Sequence, residues 1–160
     1  MGRILSVAAA VLALGFASIS VAQARDIPSD GVTLEDVQAW LRDQGNEAQI
    51  TNDGAGHTIV SSKLGGTKFG VYMFDCNNAK RCGSIQFAAG WPTNGKIQLQ
   101  KVNEWNRTKR WGRAYLDESG GIWLESDCDI TPGGTYELLN DMFATWKKSV
   151  EGFRSFMNLN

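Results

Sequence analysis

Little in this chain announces a catalyst. It has one histidine, His57, three cysteines, and beyond its first 24 residues no apolar run long enough to cross a bilayer. A general base needs an acid or nucleophile in reach, and a metal site needs several ligands; nothing in sequence supplies His57 with either at motif spacing. The glycines of Gly65-Gly66-x-x-x-Gly70 lack the Lys-Ser/Thr pair of a phosphate loop and lie in a predicted hairpin, not between a strand and a helix. Glu125, Asp127 and Asp129 share one face of a predicted strand without the spacing of a calcium loop, so they read as solvated charges guarding an edge strand. There is no internal repeat, low-complexity tract or interdomain linker. No metal and no cofactor is expected.

What is present begins with the first residues. Arg3 opens a short positive region, and the 17 residues from Ile4 to Ser20 carry no charge. Ala22-Gln23-Ala24 then puts small residues at the two positions a signal peptidase reads, just ahead of Arg25 and Asp26. The pattern predicts a secretory signal peptide over residues 1–24, cleaved after Ala24, and a periplasmic or secreted product with no membrane span of its own. Removing 24 of 160 residues leaves 136, enough for one domain with one core, over residues 25–160. Only Arg3 is lost among the charges, so 16 basic residues become 15 against 17 acidic, a net charge of −2. That balance excludes the electrostatic footprint of a nucleic-acid binder.

Export changes how the cysteines read. In an oxidising compartment a disulfide is the first expectation. Cys76 and Cys82 flank the polar, turn-forming stretch Asn77-Asn78-Ala79-Lys80-Arg81 between two apolar runs, so a hairpin would bring them together. Five intervening residues suit a structural bridge better than a redox pair. Cys128 shares parity with Leu124 and Ile130, the inward side, and is expected as a buried, inert thiol.

Periodicity supplies the elements. Thr33 and Asp36 suit a helix N-terminus, followed by Leu34, Val37 and Leu41 on one face and Gly45 at the end. Strands are predicted from Ala48, over His57–Leu64, Thr67–Asp75 and Gly83–Gly90, then over Trp111–Asp117 and Gly121–Ile130. A short helix around Leu99, Val102 and Trp105 separates the two groups, with Trp105 as a core residue. After Pro132-Gly133-Gly134, Thr135 caps a long terminal helix. Its stripe of Leu139, Met142, Phe143, Trp146, Val150, Phe153 and Met157 is the strongest periodic signal in the chain. Short turns make the strands antiparallel. The expected class is α+β: an antiparallel sheet of five or six strands with three flanking helices.

The segment from Val102 to Asp117 interleaves basic residues with aromatics. Asn106-Arg107-Thr108 within it is formally a glycosylation acceptor. Trp111, Arg113, Tyr115 and, on the next strand, Trp123 make the candidate binding surface. The asparagine-flanked Trp105 helix, the aromatic strand ending Tyr115-Leu116-Asp117, the acidic strand Leu124–Ile130 and the terminal helix with central Trp146 together resemble the YbjN-like family of bacterial sensory transduction regulators. The Thr33–Gly45 helix and the Cys76–Phe87 hairpin look like those of exported members. The resemblance implies a fold similar to type III secretion chaperones and a regulatory or binding role without a reaction, and it brings no catalytic residues. The signal peptide and paired cysteines set this chain apart from cytoplasmic relatives. The expectation is therefore a non-enzymatic periplasmic binding or regulatory module whose partner is a protein or peptide, a second copy of the chain included. The alternatives are a small exported hydrolase using His57 with Asp127 or Asp129, and a small-molecule carrier with an aromatic pocket around Trp111, Tyr115 and Trp123.

Overall fold

The computed structural model describes residues 24–159. The expected signal peptide, but for Ala24, lies outside the described residues. The elements run α1 (Leu34–Asp43), β1 (Ala48–Asn52), β2 (Thr58–Leu64), β3 (Thr67–Cys76), β4 (Cys82–Trp91), α2 (Leu99–Thr108), β5 (Arg113–Leu116), β6 (Ile122–Asp129) and α3 (Tyr136–Met157). The six strands form one antiparallel sheet in the order β1-β2-β3-β4-β6-β5. The α+β class and the three helices are as expected, and the strand count settles at six.

Local chemistry explains where the helices start. Thr33 and Asp36 form a reciprocal capping box: the Asp36 amide donates to the Thr33 hydroxyl at 3.1 Å, and the Thr33 amide donates to the Asp36 carboxylate at 3.0 Å. Thr135 caps α3 through the Leu138 amide at 3.1 Å, and Glu137 sits in the first turn where the helix dipole favours negative charge. The segment before α1 is tied down as well. Ile27 is buried, Val32 bridges to Cys82, and Arg81 pairs with both Asp30 and Asp36. Gly31 is irreplaceable in this arrangement: its φ is +96° and a Cβ would lie 2.0 Å from the Cys82 carbonyl oxygen.

The core lies between one face of the sheet and the helices. Phe69 and Val71 of β3, Ile85, Phe87 and Ala89 of β4, and Ile122, Leu124 and Cys128 of β6 point into it with the α3 stripe. Trp146 is 1% exposed and stacks on Phe87 at 5.8 Å between ring centroids, with Phe69 edge-on at 6.2 Å. Phe143 meets Trp40 of α1 at 5.4 Å, and Phe153 meets Trp105 of α2 at 4.9 Å. All three helices therefore meet the same aromatic seam. Met142, expected within the stripe, is only partly buried at its margin. Cys76 and Cys82 are bonded across the β3–β4 hairpin, and Cys128 is a buried free thiol. Burial, reinforced by the neighbouring Asp129 charge, pushes that thiol up to about 11, which keeps it unreactive.

Two expectations fail on topology. The acidic strand β6 is not an edge strand: it pairs with β4 on one side and β5 on the other. Nothing local in the sequence signals that β5, although earlier in the chain, takes the outer position. The predicted strand from Trp111 also starts later, because Gly112 turns the backbone at φ +81° and leaves Trp111 outside the sheet.

Candidate functional site

The helices cover one face of the sheet; the other carries the candidate site. Three cross-strand rows define it. Gly70, Ala88, Glu125 and Arg113 lie side by side across β3, β4, β6 and β5. Tyr72, Gln86 and Asp127 form the row on one side, and Gly90, Trp123 and Tyr115 the row on the other. Small residues in the middle, flanked by rings, turn a flat sheet into a trough. Gly90 makes this possible for Trp123: a Cβ there would lie 2.8 Å from the indole, so the ring rests directly on the backbone. The resulting cavity has a volume of about 360 Å³, and Asp53, His57, Tyr72, Gln86, Ala88, Tyr115, Trp123 and Glu125 line it.

Each wall is held by a carboxylate. On the β6 side Glu125 is only 7% exposed, yet a charged neighbour and a hydroxyl bond it. The Arg113 guanidinium donates to Oε2 and the Tyr115 hydroxyl to Oε1 at 2.7 Å. Tyr115 and Trp123 lie parallel within 9°, 6.5 Å apart, and the Trp123 indole donates to Asp117 at 2.8 Å. On the β3 side Asp53 organises the Asn52–Gly56 turn. It accepts from the Ala55 and His57 amides at 2.9 and 2.8 Å, contacts His57 Nδ1 at 3.0 Å and accepts from the Tyr72 hydroxyl at 3.1 Å. These bonds, that of the His57 ring first, hold the Asp53 carboxyl down at about 2. Asp117 is likewise at about 2, led by its bonds to Ser119 and Trp123. Both tyrosines move the other way: burial first, then the bonded carboxylate, pushes Tyr72 and Tyr115 up to about 12.

The family model named YbjN and described as "Putative bacterial sensory transduction regulator" matches residues 33–158. The chain belongs to the YbjN family. A solved structure, "Crystal structure of YbjN, a putative transcription regulator from E. coli", is similar with a TM-score of 0.54 at 15% identity, covering 74% of this chain and 84% of that one. At that identity the likeness speaks for the fold alone. No curated relative matches the chain. The YbjN resemblance read from Trp105, Tyr115-Leu116-Asp117 and the terminal helix is therefore shown, and the architecture is that of a YbjN neighbour.

Within this YbjN-family fold the four surface residues singled out in sequence do not stay together. Arg113, Tyr115 and Trp123 share the open face. Trp111, 46% exposed under the Arg110 guanidinium, instead lines a separate depression with Trp105, Lys109 and Lys148 beside α3. His57 takes Asp53 as its partner, while Asp127 accepts from Gln86 at 2.7 Å. The Asp53 and Tyr72 contributions were missed. The available signal was the acidic residue inside the Asn52–Gly56 turn, four residues before the histidine, a spacing that lets an Asp side chain bond the backbone beyond it. Asn106 is not a free glycosylation acceptor: its side chain accepts from the Ala114 amide and donates to the Ala114 carbonyl, both at 2.9 Å. Among the described residues no group of three or more His, Cys, Asp or Glu could hold a metal ion.

Proposed function

We propose that this YbjN-family chain is an exported regulatory module that works by binding, and that the open face of its sheet is the binding surface. One observation carries the reading. The face opposite the helices is not a flat polar sheet but a trough of about 360 Å³ between Tyr72 and the Tyr115–Trp123 pair. Such concave sites, mostly apolar with a few fixed polar groups, are where small ligands and peptide side chains bind. The family's description as a regulator agrees with this reading. The titratable groups in the trough are engaged in holding its walls, with Asp53 on its turn and Tyr72 and Glu125 on Arg113 and Tyr115. A structural disulfide and the predicted signal peptide support a periplasmic or secreted location. With a mature net charge of −2, the regulation proceeds through a protein, peptide or small molecule and not through nucleic acid.

The test compares the mature chain, residues 25–160, with its Tyr72→Ala/Trp123→Ala variant as parallel baits in periplasmic extract. A protein or metabolite retained by the first and lost by the second is the expected result. Turnover on a broad hydrolase panel that disappears in His57→Ala would overturn the reading in favour of an enzyme. N-terminal sequencing of the exported product is expected to begin at Arg25.

A further inference from the structure

We propose that the trough takes an organic cation, an ammonium group carried on a small apolar frame. The inference rests on the reading of the open face as the binding surface and deepens it. Tyr72 stands on β3 and Glu125 on β6, with β4 between them. Two strand spacings, roughly 10 Å, separate the walls. That width admits a ligand between the rings while keeping both walls in contact with it. The cavity lining contains two carboxylates, Asp53 and Glu125, and neither a lysine nor an arginine. Arg113 meets Glu125 from the β5 side, and Glu125, with two bonds, keeps acceptor positions free, whereas Asp53 contributes its charge with its four positions already bonded.

The charges of the two walls converge on the same space. Tyr72 bonds Asp53 and Tyr115 bonds Glu125, and all four residues line the one cavity. The rings add to this. The face of an aromatic ring carries negative charge, and a cation over tyrosine or tryptophan is attracted to it. An anion would meet the Asp53 and Glu125 carboxylates with no lysine or arginine in the lining to receive it. A neutral apolar ligand would cover the free acceptor positions of Glu125 and offer them no donor or charge in return. A cation on an apolar frame satisfies both features, contacting the rings with its frame and the carboxylates with its charge.

The probes are choline, its neutral isostere 3,3-dimethylbutan-1-ol, benzenesulfonate and a tetralysine peptide. Each is titrated into the mature protein while the indole N–H resonance of Trp123 is followed by two-dimensional NMR. Choline or tetralysine is expected to move the Trp123 signal with an affinity at least about tenfold above that of the isostere. Choline acting alone identifies a free small cation; tetralysine acting alone identifies a basic side chain of a peptide. Glu125→Gln is expected to weaken the cation severalfold and leave the isostere unchanged, and Asp53→Asn serves the same purpose if the first variant is poorly folded. Equal binding of choline and its isostere, or binding of benzenesulfonate alone, overturns the cation and keeps the face as a binding surface. A Trp123 signal unmoved by all four probes overturns both.

Discussion

Trp146 and Trp123 sit on opposite faces of one sheet and do different work. Trp146 is sealed in the aromatic seam between α3 and the strands, stacked on Phe87. Trp123 lies half-buried over Gly90, its indole held by Asp117 and its ring parallel to Tyr115. The covered face is apolar and filled by rings from three helices. The open face is polar and aromatic at once, and Tyr72, Tyr115 and Trp123 are each steered by a carboxylate. Where aromatics serve stability, they need only volume and contact. Where they bound a cavity, they are fixed in orientation by hydrogen bonds to groups outside the ring stack.

That contrast is open to measurement. Trp146→Ala should cost roughly 3–5 kcal/mol, read as a shift of the denaturation midpoint. Trp146→Phe should cost much less. It keeps most of the ring, and it removes an indole N–H that finds no partner among the described residues. An unchanged midpoint in Trp146→Ala would mean that α3 does not pack on the sheet. The Cys76→Ser/Cys82→Ser pair should lower stability by about 2 kcal/mol without unfolding the domain, because the closed loop is short. Trp123→Ala should cost less, about 1–2 kcal/mol, the worth of a half-buried ring and its pairing with Tyr115. A cost equal to that of Trp146→Ala would make the open face structural and erase the distinction.

Acid sharpens the contrast further. Asp53 and Asp117 titrate at about 2 in the folded chain, below the ordinary carboxylate value of about 3.9. Their contribution to stability is therefore complete above that ordinary value and is lost as pH falls toward 2. Both lie at the rim of the trough, so the open face should loosen in that window before the helix-covered core does. Carboxyl NMR midpoints near 3.9 would show that the turn bonds do not persist in solution. At the small end, Lys147→Ala should change stability by no more than about 0.5 kcal/mol, since its ammonium merely rests 5.1 Å from the Phe143 ring on the solvent side.

The covered face was the legible one. A stripe at helical spacing from Leu139 to Met157, alternation in β3 and β4, and two cysteines around a polar turn are local patterns, and each led to the observed element. The trough was legible only in part. Arg113, Tyr115 and Trp123 drew attention by type, and the hairpin places them together. Tyr72 arrives from β3 and Asp53 from the turn between β1 and β2, each more than 40 residues earlier, and only the sheet order brings them opposite Glu125. That order depends on β6 entering between β4 and β5, a choice made by long-range pairing and not by any residue in the turn. The same insertion explains why Glu125 is buried while an edge strand would have left it in water.

The bond pair between Asn106 and Ala114 has a consequence for how large an assembly this sheet can build. A side-chain amide occupies both the donor and the acceptor that Ala114 turns outward on β5, as a further strand would. At the opposite border β1 pairs, among the described residues, with β2 alone, and of its carbonyls Ala48 is engaged by Gln38 and Arg42 from α1. Strand addition is thus directional. A strand arriving at β5 would first have to displace the Asn106 amide, so this border is guarded against edge-to-edge growth where an open one would permit a fibre.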